Sequence, residues 1–277
     1  MSNTLSASLI ICTYNREELF VNTVKFALKQ NYPKLEILIV DQTKNHKPET
    51  SAFLEEIKDR VRYFYLETPS ITKARNVGLK NATGDILIYI DDDTEFDEKF
   101  IAHHIAAFEE GYDVVQGRVI ENERHAPHKK AHWLSKRFKF SGSDNCDVRS
   151  KTNVITGCNF SVRRTVAEAV GGFDERFTRL AIREDTDFGY RCYKGGYRMI
   201  LEPAAVLKHL RSDTGGVGSG IGMHFFSDSY YYNEILFCRK HFGKLTNIYY
   251  LIRLKLRGRK ALRKLIQKAK AEAENQA

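Results

Sequence analysis

The sequence predicts an α/β fold built on a mostly parallel, doubly wound sheet flanked by helices. Three observations carry that prediction. Short apolar runs alternate with helix-period segments through the first 120 residues; two of the runs, Leu35–Val40 and Ile86–Ile90, end in acids; and the second of these is followed by Asp91, Asp92 and Asp93 with no cation between them. A strand covered on both faces reads as an unbroken apolar run, and strands alternating with helices call for parallel pairing through crossovers. In such sheets ligands sit at the carboxyl edge. Three adjacent carboxylates there repel one another unless positive charge holds them, and a divalent cation that takes oxygen ligands and substrate phosphates is the obvious holder. Capping the helix expected from Glu98 does not need them, because Asp97 already stands as its N-cap.

The elements follow in order. Ser8–Cys12 is a first strand, succeeded by Thr13-Tyr14-Asn15-Arg16 and a helical pattern through Leu19, Val24, Ala27 and Leu28. Leu35–Asp41 is a second strand whose last residue is an acid at the same edge. A helix over 51–58 leads to a third strand at 61–65, and Ile71–Asn81 reads as a helix closed by Thr83-Gly84. After the acidic triplet come a helix from Glu98 to about Glu110 and a strand Val114–Ile120. From Glu121 to about Ser150 the chain is polar and aperiodic, a solvated loop. His128 and His132 have helical spacing there, but no acid or further ligand accompanies them. Trp133, the only tryptophan, has two readings: a stacking face for an acceptor sugar, or a cover for the core edge.

Order returns with a strand Val154–Val162, whose interior Gly157 implies that another backbone or a ligand comes close. Arg183–Arg191 opens a helix ending near Gly195-Gly196. Acids in its first turn suit the helix dipole, yet Glu184, Asp185 and Asp187 together exceed what end chemistry requires. A strand pair ending at His209 follows, then glycines at 215, 216, 218, 220 and 222 without the Lys-Ser or Lys-Thr of a phosphate loop; the segment reads as a flap or a plain connection.

A chain of 277 residues with 42% hydrophobic content can bury a substantial core. Its five cysteines are scattered and odd in number, which argues against a disulfide framework and a zinc site and for a reducing compartment. No stretch has the length of a transmembrane helix and the N-terminus does not read as a signal peptide, so the expected location is cytoplasmic. The net charge of +9 is local: 12 of the 44 bases lie between Arg239 and Lys270, where there is no acid, so the other 32 face 35 acids. An anionic partner is therefore expected at the tail and not around the body, and nucleic acid is not expected as a partner.

Thr13-Tyr14-Asn15, Val40-Asp41, Ala74-Arg75-Asn76-Val77-Gly78, Asp91-Asp92-Asp93, Gly172-Phe173-Asp174-Glu175 and Glu184-Asp185, in this order and spacing, resemble the motifs of the family 2 glycosyltransferases with the GT-A fold. The resemblance runs from about Ser8 to His209. It implies a GT-A domain over 1–222, with a nucleotide-sugar half to about 120 and an acceptor half from 121, then a basic helical extension over 223–277. It places Thr13, Tyr14, Asp41 and Arg75 around the base and ribose of a nucleotide sugar, with uridine favoured by family habit. Each role is chemically open: Tyr14 can stack, Asp41 can accept from a base N–H, and Arg75 offers a planar fork of donors. The plainer readings are core packing for Tyr14 and a surface ion pair for Arg75.

By the same resemblance Asp91 and Asp92 lie near the ribose and the metal, Asp93 is the most direct ligand of Mn²⁺ or Mg²⁺, and His209 completes the coordination, although a hydrogen-bonded strand-end histidine is the plainer reading. Asp185 would be the base of an inverting transfer and Glu184 would orient the acceptor or fix its neighbour. Trp133 and Gly157 are acceptor-side candidates. The reaction implied is metal-dependent transfer to a hydroxyl of a saccharide or lipid-linked acceptor, as in cell-surface polysaccharide synthesis. A nucleotidyltransferase is one rival, but its first strand normally opens a glycine-rich loop, which Thr13–Arg16 lacks. A catalytically silent sugar-binding protein is the other, and intact Asp91, Asp93 and Asp185 argue against it. Many members of the family continue into transmembrane helices; here the tail over 239–270 interleaves bases with Leu254, Leu256, Leu262, Leu265 and Ile266. Such a segment is expected to lie on an anionic surface at the cytoplasmic face of a membrane, or else to pack on the domain.

Overall fold

The computed structural model describes residues 4–121, 126–178, 182–211, 216, 228–256 and 267. The first half alternates strand and helix: β1 (Ala7–Thr13), α1 (Glu18–Leu28), β2 (Leu35–Asp41), α2 (Pro48–Ile57), β3 (Arg62–Tyr65), α3 (Ile71–Asn81) and β4 (Ile86–Asp91). Then come β5 (Thr94–Glu95), α4 (Phe100–Glu109), β6 (Val114–Ile120), the short strands β7 (Trp133–Leu134), β8 (Phe140–Ser141) and β9 (Ser150–Lys151), β10 (Asn159–Arg163), α5 (Arg164–Ala169), α6 (Glu184–Lys194), β11 (Met199–His209), α7 (Asp228–His241) and α8 (Lys244–Leu256). One sheet runs in the order β3-β2-β1-β4-β10-β6-β11-β5, with β9 also on β11.

The alternation of side chains explains why the central strands are apolar throughout. Leu9, Ile11, Ile37, Ile39, Ile86, Ile88 and Ile90 face α1 and α4, where Phe20, Val24, Phe100, Ile105 and Phe108 meet them. Ile10, Leu38, Val40, Leu87 and Tyr89 face the other way, onto Ala74 of α3, Phe188 of α6 and Phe173 of the loop between α5 and α6. A third cluster joins α7 and α8 to the body: Tyr231, Phe237 and Phe242 pack with Leu134, Phe138, Phe177 and Tyr190.

The longer strands β1 to β4, β6 and β11 are parallel, as expected, but β10 runs antiparallel between β4 and β6, and the short β5 and β9 run antiparallel to β11. An apolar run has no direction of its own, so the pattern at 154–162 could not reveal this. The strand is also shorter than expected: 154–158 precede it, and Gly157 stands at its approach instead of its interior. The expected strand pair before His209 is one strand, β11, with a register shift between Glu202 and Val206. The segment 121–150 is less featureless than its polarity implied, since it holds the β7–β8 hairpin and pairs His128 with Cys146. Asp97 does not cap α4. The N-cap residue is Lys99, whose backbone N–H donates to Oδ1 of Asp97, two residues before the N-cap, at 2.8 Å. Of the glycine run after His209 only Gly216 lies within the described residues, and the tail beyond 256 lies outside them apart from 267.

Candidate active site

Parallel register brings the carboxyl ends of β1, β2 and β4 level, with Thr13 opposite Asp41 and Cys12 opposite Asp91. The sheet thus delivers Thr13, Asp41 and the acidic triplet to one edge. β11 ends there too, because Thr94 pairs with His209 and the Leu210 N–H donates to the Asp93 carbonyl at 2.9 Å.

Asp91, Asp93 and His209 each offer a ligand atom within 4.8 Å of the others. His209 Nε2 lies 3.2 Å from Asp93 Oδ1 and 3.8 Å from Asp91 Oδ2, while its Nδ1 faces Glu121 Oε1 at 3.8 Å. Two carboxylates and an imidazole converging from two strand ends fit a divalent cation such as Mn²⁺. A carboxylate behind the second ring nitrogen is the usual support of a ligating histidine. Burial opposes charge on His209, yet its bonds to Asp93 and Glu121, with Asp91 nearby, carry its pKa up to about 10. The imidazolium is thus a counter-cation for the two carboxylates.

The protein supplies further positive charge that the sequence reading did not foresee. Arg16, from the loop after β1, reaches Asp93 Oδ2 at 2.6 Å and Asp92 Oδ1 at 3.3 Å. Asp92 also accepts from the Thr13 hydroxyl at 2.6 Å. Burial pushes Asp92 up to about 7 against the pull of Arg16 and Thr13. Thr13 and Asp92 are therefore bound to each other. Arg75 is buried on α3 and bridges the two acidic groups: Nη1 is 2.9 Å from Glu184 Oε1 and Nη2 3.7 Å from Asp91 Oδ1.

Asp185 sits on the far side of that bridge. Its Oδ2 accepts the Gly157 N–H at 2.9 Å, and its Oδ1 accepts the N–H of Thr186. A Cβ at position 157 would stand 2.3 Å from Arg75 Nη2, so the close approach inferred from this glycine is that of the guanidinium. Arg183, just before α6, is left-handed at φ 78°, a conformation that costs a non-glycine residue about 1 kcal/mol or more and clusters at functional sites. Burial, with the charge of Asp185 alongside, pushes Glu184 up to about 8 despite Arg75.

A cavity of about 400 Å³ opens on this wall, lined by Glu121, His132, Phe140, Asp144, Arg183, Glu184, Asp185 and Arg211 among others. Glu121 faces His209, so one cavity reaches from the back of the candidate metal-ligand set to Asp185. Its polar lining includes Asp144, which accepts from the Thr156 hydroxyl at 3.0 Å, a residue the sequence did not single out.

Three further expected site residues lie away from this wall or are engaged with other parts of the chain. Asp41 is fully buried and accepts from Thr43 N–H at 2.7 Å, from the Tyr63 hydroxyl at 2.8 Å, and pairs with His46 Nε2 at 2.5 Å. A base N–H would have to share or displace one of these donors. Tyr14 is half-buried, and its carbonyl accepts the Gly216 N–H at 2.7 Å. Trp133 lies outside the lining of the cavity, edge-on to Tyr193 at 5.7 Å, whereas its neighbour His132 lines it.

The fold is that of the GT-A glycosyltransferases. A profile of glycosyl transferase family 2 matches residues 8–171, more than half of the chain, and the protein belongs to that family. The glucosyl-dolichyl phosphate glucuronosyltransferase of Haloferax volcanii is 27% identical over 186 residues, 61% of this chain and 56% of its own length. The succinoglycan biosynthesis protein ExoM of Rhizobium meliloti is 28% identical over 218 residues, 74% of this chain and 66% of its own. The chain thus spans little more than half to two-thirds of these relatives. Among solved structures, the mannosyltransferase PcManGT of Pyrobaculum calidifontis, in complex with GDP-Man and Mn²⁺, superposes with a TM-score of 0.58 at 17% identity, over 98% of this chain and 70% of that one. That likeness bears on the fold alone.

Proposed function

We propose that this protein transfers a sugar, with inversion, from a nucleotide sugar to a hydroxyl of a saccharide or lipid-linked acceptor. The observation that carries the reading is the nearness of the Asp91–Asp93–His209 set to Asp185: Arg75 pairs with both Asp91 and Glu184, and Glu121, beside His209, lines the same cavity as Asp185. Asp91, Asp93 and His209 would hold Mn²⁺ or Mg²⁺, which when bound neutralises charge on a departing diphosphate. Arg16 keeps Asp92 and Asp93 in place beside it.

Asp185 takes the proton of the acceptor hydroxyl as that oxygen bonds to the anomeric carbon. The bond from that carbon to the diphosphate breaks, and its electron pair leaves with the nucleoside diphosphate. Asp185 is set for this by two backbone N–H groups that fix its plane, while Glu184, bonded to Arg75, supports the same turn. Two adjacent carboxyls in unequal surroundings are the usual way for a site to give one of them the base role. A uridine donor follows family habit, and a lipid-linked acceptor is suggested by the dolichyl-phosphate relative.

The test is a panel of uridine and guanosine sugar nucleotides, scored by thermal stabilisation with Mn²⁺ and with EDTA. A selective ligand of the native state raises Tm. Stabilisation by one sugar nucleotide that needs Mn²⁺ and is lost in Asp93→Ala is expected; metal-independent stabilisation, unchanged in Asp93→Ala, overturns the metal role.

A further inference from the structure

Helix α8 has two unlike faces. Its inner face carries Tyr250 and Leu251, which pack on the cluster around Tyr231, Phe237 and Phe242. The Tyr250 hydroxyl also donates to the buried Glu234 of α7 at 2.9 Å. Its outer face leaves Leu245 83%, Ile248 52%, Tyr249 60% and Ile252 49% exposed. These positions follow the spacing i, i+3, i+4, i+7, one unbroken stripe along a helix. Isolated exposed apolar residues are ordinary; a stripe of four marks a surface that something covers.

Charge narrows the partner. Lys244 is exposed at the start of the helix and, at about 100° per residue, borders the stripe on one side. Between residues 239 and 270 there are 12 bases and no acid. Two copies meeting stripe to stripe would bring two such tails side by side. A nucleic acid or an acidic protein would answer the bases and leave the aliphatic stripe unmatched. A bilayer with anionic headgroups satisfies both, with apolar side chains at the acyl boundary and bases among phosphates.

We propose that α8 lies in the plane of an anionic lipid surface, with Leu245, Ile248, Tyr249 and Ile252 as the inserted face. The proposal deepens the lipid-linked-acceptor reading and rests on it for its purpose. α8 holds Glu234, and Glu234 pairs with Arg183 on the cavity wall, so the docked helix is fastened to the acceptor side of the site.

Vesicle sedimentation of the full chain tests it, with phosphatidylcholine vesicles containing or lacking phosphatidylglycerol, for the natural sequence and for Leu245→Asp/Ile248→Asp. Both positions face outward, so folding is checked by an unchanged Tm and an unchanged sugar-nucleotide thermal shift. The natural chain should pellet only with the anionic vesicles, less so in high salt, and the double variant should bind at least about tenfold more weakly. Equal pelleting of the two proteins overturns the proposal, as does a natural chain that ignores vesicles but forms a dimer that the variant loses. Sugar-nucleotide stabilisation is read separately. Lost pelleting without any such stabilisation in either protein would leave the membrane face standing and remove the transferase reading.

Discussion

Arg75 is the hinge of the site at the residue scale, because it alone among the described residues pairs with both Asp91, of the candidate metal set, and Glu184, beside the proposed base. Gly157 leaves it the space to do so. Gly157→Ala would force the guanidinium away from a place fixed by two carboxylates, since the added carbon falls 2.3 Å from Nη2. A fall in kcat/KM of about tenfold or more is expected, because small misplacements at a reacting centre are costly. Steady-state kinetics beside a melting curve would show it, and full activity in the variant would remove Arg75 from this role. Asp185→Asn should cut turnover by about 10²-fold or more while leaving sugar-nucleotide binding near normal. Turnover retained in that variant would move the base elsewhere. At this scale Asp41 and Asp91–Asp93 were legible because they stand at the ends of apolar runs, and Glu184 and Asp185 because they crowd the first turn of a helix. Arg16, Glu121 and Asp144 were not: each lies in a loop or at a strand end and acquires meaning only from partners far along the chain, as Arg16 does from Asp92 and Asp93.

At the scale of elements, α6 is fixed at both ends of its first turn. Arg183 pairs with Glu234 of α7 at 2.5 Å, and Asp187 receives Lys240 at 2.9 Å and His241 at 2.7 Å from the same helix. The turn between these ties carries Glu184 and Asp185, so α7 acts as the back support of the candidate base. Glu234→Gln should therefore lower kcat by about tenfold while KM for the donor stays near its natural value. Loss of the donor's thermal shift instead would mean that the substitution damages the whole fold. The strands and helices of the first half were readable from apolar period alone, down to the limits of β2, α3 and β6. Short strands such as β7, β8 and β9 were not, because two residues cannot display a period. Nor was the direction of β10, since period 2 reads the same forwards and backwards.

At the scale of the whole molecule, β10 is held in its seam by a buried histidine. His104 of α4 donates from Nε2 to Asn159 Oδ1 at 3.0 Å and accepts the Ser161 hydroxyl at Nδ1 at 2.8 Å, a pairing that suits the neutral ring. The Asn159 amide nitrogen donates on to the Arg118 and Ala205 carbonyls, which fixes the amide and hence the tautomer. Burial lowers the His104 pKa to about 4. Between about pH 6.5 and 4 the unfolded chain therefore binds a proton that the native state refuses, and stability falls as the pH is lowered through that window. The loss amounts to roughly 3 kcal/mol at most. Asp174 is half-buried and Asp187 fully buried, but their bonds to Arg176 and Lys240, and to His241 and Arg191, hold both below the ordinary carboxylate range. Their contribution is present above the unfolded value and is lost at still lower pH. Thermal melts of His104→Gln should show a flatter decline from pH 6.5 to 4 than the natural chain; parallel declines would clear His104 of the effect.

The inserted strand has a further consequence for how the chain comes into being. β4 and β6 are complete by residue 120, yet the strand that separates them ends only at residue 163. A nascent chain leaving the ribosome therefore carries two long aliphatic strands, each with a bare flank of peptide groups, for as long as the intervening loop takes to be made. Pairing them with each other, or with a neighbouring nascent chain, is the wrong closure that this order of synthesis leaves open until β10 arrives.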